Sequence, residues 1–115
     1  MTPVNLDIEI QQGDDEQGVY IAKDSTGTPI DLTNYTSKMV IAKTYDSATP
    51  LITLTDGSGT TITPIQGKFQ WDLTHTQTDS LDEKNYVYDY RLIDPSNKVR
   101  RWLRGNFIVN PKVPE

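Results

Sequence analysis

"YDYRLIDPSNKVRRWLRGNF", residues 88–107, decides how this chain is read. Asp94-Pro95-Ser96-Asn97 in its middle is a well-specified tight turn. Aspartate accepts hydrogen bonds at the first position, proline presets φ at the second, and asparagine tolerates a left-handed backbone at the fourth. The flanks alternate at the period of a strand, so the stretch reads as a β-hairpin. On the incoming strand Tyr86, Tyr88, Tyr90 and Leu92 share one face, and Val87, Asp89, Arg91 and Ile93 the other. On the outgoing strand Val99, Arg101, Leu103, Gly105, Phe107 and Val109 share a face, with Arg100, Trp102, Arg104 and Ile108 opposite. Neither strand has a clean polar side, as expected of strands covered on both faces or meeting a partner on one. Asp89 sits among apolar residues, and a half-buried carboxylate wants an arginine. Arg101 and Arg104 are the candidates, with an internal Asp89–Arg101 pair the expectation; a single bulge would exchange the faces.

The hairpin concentrates four arginines in a chain of 115 residues whose net charge is -5. Such a balance argues against non-specific nucleic-acid binding, which needs a basic face to displace counterions from phosphate. The length is that of one domain spanning 1–115, with 35% apolar residues to build the core. There is no cysteine, which excludes disulfides and thiolate metal sites. No run approaches a membrane span, and MTPVNLDIEI lacks the basic flank and apolar centre of a secretion signal.

Outward from the hairpin the texture is uniform. Short β-prone segments are separated by turn residues every eight to twelve positions, the spacing of a sandwich or barrel. VNLDIEI (4–10) alternates, with Leu6, Ile8 and Ile10 on one face. GVYIAKD (18–24) follows an acidic loop. TSKMVIAKT (36–44) is the most apolar run and belongs in the centre of a sheet. PLITLTD (50–56) runs into DGSG, a strong turn signal. TTITPI (60–65) is limited by Pro64, and GKFQWDL (67–73) aligns Phe69, Trp71 and Leu73. Residues 74–84 read as a single helical turn, capped by Thr76 with Asp79 three positions on, and with Leu81 closing one end of the core.

Catalytic and metal-binding patterns are weak. His75 has Asp72 and several threonines near it, but at a strand end such residues are ordinary surface chemistry. Asp14-Asp15-Glu16 and Asp82-Glu83 are adjacent carboxylates on loops and lack the alternation of a calcium loop. DGSGT (56–60) has no phosphate-loop lysine. No cofactor or metal is expected. Trp71, Trp102 and the tyrosines have the chemistry to stack sugars, but Trp71 in register with Phe69 and Leu73 reads as core. Trp102 is the aromatic expected to be exposed.

The order of "IDLTNYTSKMVIAK" (30–43), "GKFQWDLT" (67–74) and "YVYDYRLIDPSNKVRRWLRGNFIVNP" (86–111) resembles a family of small immunoglobulin-like β-domains of tailed bacteriophages, which includes the N-terminal domain of baseplate upper proteins. Asn97 and Asn34 stand where that family has turn glycines, replacements a left-handed position allows. The resemblance implies an all-β, immunoglobulin-like antiparallel β-sandwich of seven or eight strands with one short helical turn. It implies a virion protein without catalytic activity: a tail, neck or baseplate connector present in multiple copies in a ring. Its partners would be other virion proteins such as fibres, and not nucleic acid or membrane. A capsid decoration protein and a carbohydrate- or receptor-binding module are the alternatives. The expected partner interface is Arg100, Trp102 and Arg104 with Tyr88 and Tyr90, aided by the proline-bearing termini MTPVN and NPKVPE, because arginine and aromatic residues are enriched in interface cores.

Overall fold

A computed structural model describes residues 4–46, 49–81 and 84–111. Among the described residues, nine strand segments and one short helix follow in the order β1 (Val4–Asn5), β2 (Ile8–Gln11), β3 (Glu16–Ile21), β4 (Thr36–Ala42), β5 (Ile52–Asp56), β6 (Gly59–Thr63), β7 (Lys68–Leu73), α1 (His75–Asp79), β8 (Asn85–Ile93) and β9 (Val99–Asn110). The protein is all-β, as the spacing predicts. Hydrogen bonding joins every strand into one path, β1-β9-β8-β4-β5-β6-β7-β3, with β2 also on β9. β1 and β2 act as one interrupted strand, since both pair with β9.

That pairing corrects one expectation. β1 and β2 run parallel to β9, so the sheet is not antiparallel throughout. β2 and β3 lie at opposite ends of the path, yet only residues 12–15 separate them. The five steps from Gln11 to Glu16 reach no further than ~18 Å, so the sheet must curl until its ends approach each other. The chain bends at Asp56–Gly59, where β5 passes into β6. There β5 and β6 share only the Thr55–Gly59 and Asp56–Thr60 pairs, and Gly57 and Gly59 take φ values of 74° and 108°. Gly59 is required twice over: L side chains avoid that backbone, and a Cβ would lie 2.5 Å from a methyl of Leu54. Ser37 and Thr60 are buried beneath the bend, where Ser37 donates to Asp56 at 2.5 Å.

Inside the curl the strands read as their sequences suggest. In β4 Ser37, Met39 and Ile41 are buried, and in β7 Phe69, Trp71 and Leu73. The ring of Phe69 lies 4.9 Å from that of Tyr90, and Trp71 meets Phe107 edge-on at 6.0 Å, so β7 faces β8 and β9 across an aromatic core. Asn34 and Asn97 both adopt φ 65°, the left-handed positions their places in the turns predict. The helix begins earlier than the sequence reading put it. Thr74, not Thr76, is the N-cap, and it exchanges hydrogen bonds with Gln77 in a capping box. Leu81, just beyond the helix, is buried at the end of the core.

Tyr88 and Tyr90 are core residues with satisfied hydroxyls. Tyr88 donates to the Leu6 carbonyl, and Tyr90 to that of Gln70 at 3.0 Å. Burial raises both above the ordinary tyrosine value, and pushes Tyr90 up to about 12. The unfolded chain therefore loses phenol protons first. Stability is full below the ordinary value of 10.0 and falls as pH rises toward the folded value. An alkaline titration should show phenolate absorbance and loss of near-ultraviolet dichroism rising together. Ordinary ionisation of every tyrosine with the dichroism unchanged would contradict this packing.

Candidate functional site

The site is built by one irregularity in the β8–β9 hairpin. Tyr90 stands opposite Leu103 and Arg91 opposite Arg101, which leaves Trp102 without a cross-strand partner. This extra residue is a β-bulge, and it breaks the alternation of β9. Leu103, Gly105, Phe107 and Val109 are buried, whereas Arg101 is brought beside Arg91 on the outside. Arg101 and Arg104, which simple alternation puts on opposite faces, thereby line one hollow together with Tyr45, Asp89 and Arg91.

Asp89 holds this cluster together. Arg91 grips it with two bonds, Nε to Oδ1 at 2.8 Å and Nη2 to Oδ2 at 3.2 Å, and Arg101 donates from Nε to Oδ2 at 3.3 Å. The Asp89 side chain is 17% exposed and Arg101 49%, so the carboxylate sits at the floor and Arg101 at the rim. Arg104 makes no ion pair among the described residues; its guanidinium lies 4.5 Å from the centre of the Tyr45 ring, a cation–π contact. The Tyr45 hydroxyl in turn donates to the Gly105 carbonyl at 3.2 Å. Lys38 stands beside Arg91 on β4, and Val40 beside Asp89. A shallow groove of about 240 Å³ continues along this outer face, past Val40, Ala42, Pro50 and Val87.

The charge here runs against that of the chain. Lys38, Arg91, Arg101 and Arg104 set against Asp89 leave the face at +3, so the remainder of a chain of net charge -5 carries -8. The apolar component is also unusual for an outward sheet face. Val40, Ala42, Val87 and Ile108 occupy half-buried outer positions where polar residues are the rule.

The expected interface is redistributed. Arg104 belongs to this face. Tyr88 and Tyr90 point inward, because they alternate with Asp89 on a strand whose other face is core. Trp102 is half-buried and packs on the core, 6.4 Å from the Phe69 ring, because the bulge turns it inward. Its indole N–H is buried without a hydrogen-bond partner among the described residues. Arg100 is exposed opposite Leu92, outside the cluster. Asp89 does pair with Arg101, but Arg91 is the nearer partner. Arg91 is legible in hindsight, two residues from Asp89 and so on the same face; Tyr45, from a loop, leaves no such signal. Of the termini, Val4–Asn5 forms β1, while residues 1–3 and 112–115 lie outside the described residues.

His75 has a carboxylate partner, though Asp15 rather than Asp72, at 3.0 Å from Nδ1. The same carboxylate accepts the His75 backbone N–H at 2.6 Å. That bond, followed by the ring's, holds Asp15 below the ordinary carboxylate range. No hydroxyl bonds the other ring nitrogen among the described residues, and both side chains are largely exposed. The arrangement caps α1 and ties the 12–15 loop to it, where Thr78 also donates to the Asp14 carbonyl at 2.8 Å. No group of three or more metal-ligating side chains occurs among the described residues. No protein-family model matches the chain, and no curated protein is significantly similar to it.

Proposed function

We propose that this chain is a non-enzymatic structural protein of a tailed-bacteriophage virion, a tail, neck or baseplate connector that works by docking and folds as an immunoglobulin-like sandwich. The strand path supports the fold. Along the single path, the run β9-β8-β4-β5 followed by β6-β7-β3 has the same order as the G-F-C-C′ and D-E-B strands of variable-type immunoglobulin domains. The parallel first strand fits beside β9 at the end of that run. The sequence resemblance supports the virion setting. The observation that carries the docking reading is the outer face of β4, β8 and β9, where arginines, Tyr45 and apolar side chains lie together as in the core of an interface. A carbohydrate module has less support, because Trp71 is 2% exposed and Trp102 is turned toward the core, which removes both as stacking platforms.

The test is the number of copies per purified particle, by quantitative mass spectrometry against the major capsid protein. A small number matching the symmetry of a tail ring is expected. A number comparable with the capsid protein would indicate decoration instead, and absence from the particle would overturn the proposal.

A further inference from the structure

We infer that the outer face of β4, β8 and β9 docks an acidic surface of another protein, one whose carboxylates enter the hollow between Arg101 and Arg104 and whose apolar residues cover Val40 and Val87. The inference rests on the docking reading above and gives its partner a chemistry.

Three observations carry it. The arginines are held in place and incompletely used. A guanidinium has five N–H donors. Arg91 spends two of them and Arg101 one on a single carboxylate, and Arg104 spends none on an anion among the described residues. Their geometry is fixed by Asp89 and by the Tyr45 ring, so little side-chain entropy remains to be lost on binding, which favours a bidentate carboxylate partner. Second, the charge of this face selects the occupant. A second copy docked by the same face would set +3 against +3, and such like-charge juxtaposition disfavours the pairing. Nucleic acid would meet the -8 of the remaining surface. An acidic protein surface matches the face without either penalty. Third, the groove beside the hollow carries Val40, Ala42, Pro50 and Val87 among polar residues such as Thr44 and Thr53, a mixed strip suited to the side chains of a protein partner.

The test uses the full chain and a labelled peptide of Glu-Glu-Leu repeats, with a Lys-Lys-Leu peptide as its counterpart, followed by fluorescence anisotropy. The acidic peptide alone should bind, and more weakly as salt is added. Arg101→Glu with Arg104→Glu should weaken binding by at least about tenfold. Lys23→Glu with Lys68→Glu, the same change in net charge away from the face, should leave it within about twofold. If the arginine reversal fails to fold, Arg101→Gln with Arg104→Gln replaces it and should still weaken binding severalfold. Equal loss in both reversal variants would overturn the proposal, as would absence of binding. So would inorganic phosphate that displaces the peptide as effectively as free peptide does, which would mark a simple oxyanion site. Self-association in sedimentation that the arginine variant abolishes would likewise overturn it, in favour of a second copy. The virion reading fails separately: a chain that binds the peptide but is missing from particles keeps this inference and loses that one.

Discussion

Phe69→Ala is expected to lower the free energy of unfolding by about 3–5 kcal/mol, as measured by urea denaturation. Phe69 is where the two sides of the curled sheet meet. Its ring contacts Tyr20 at 5.5 Å, Tyr90 at 4.9 Å and Trp102 at 6.4 Å, and the side chain is 2% exposed. Truncation removes the transfer free energy of a benzyl group and leaves a void among rings that cannot easily collapse, because each is fixed from elsewhere. Tyr20 accepts from the Trp71 indole at 3.1 Å, Tyr90 is tied to the Gln70 carbonyl, and Trp102 is held by the bulge. Domains of this size are stable by about 5–15 kcal/mol, so the variant should be close to unfolding at 37 °C. A loss under about 1 kcal/mol would mean that β7 does not face β8 and β9 as described.

Gly105→Ala should cost about 3 kcal/mol, the upper end for overpacking, and act on a different part of the fold. A Cβ at Gly105 would lie 2.5 Å from the Leu6 carbonyl oxygen and 2.9 Å from its carbon. These are backbone atoms at the junction of β1 and β2, so no rotamer change relieves the clash. Either β9 or the N-terminal strand must move. Three hydrogen bonds secure that junction: Leu6 N–H to the Arg104 carbonyl at 2.9 Å, Asn106 N–H to Asp7 at 3.0 Å, and the Tyr88 hydroxyl to the Leu6 carbonyl. Hydrogen exchange should accordingly show residues 4–11 losing protection before the rest of the sheet. Equal loss throughout, or an unchanged thermal midpoint, would show that the parallel pairing contributes little.

How much of this was legible in the sequence depends on what each feature is made of. Alternation located the strands, because burial itself alternates: Met39 and Ile41, Phe69 and Trp71, and Ile8 and Ile10 are all core. The turns were legible where chemistry requires them, as at Asp94, whose carboxylate accepts from the N–H groups of Ser96 and Lys98. Pairing partners were not. A four-residue strand such as β2 shows which face is apolar and nothing about whether its neighbour runs parallel. The bulge was hidden for a related reason. Around Arg100-Arg101-Trp102-Leu103-Arg104 long amphipathic side chains stand on both faces, so no apolar–polar contrast marks the extra residue. That one residue decides the site. Without it Arg101 and Arg104 stand on opposite faces and Trp102 faces the solvent. The helix start was misplaced because Thr74 and Thr76 both precede a suitable third residue, and only the Gln77 side chain's reach back to the Thr74 N–H distinguishes them.

Hydroxyl-radical footprinting of the chain inside purified particles, compared with the free protein, tests the central claim most directly. Docking by the outer face of β4, β8 and β9 predicts that Tyr45, Val40 and Val87 become protected on assembly, while Ile65, 83% exposed in the turn between β6 and β7, keeps its reactivity. Protection of Ile65 with Tyr45 and Val87 still reactive would place the interface elsewhere and contradict the account.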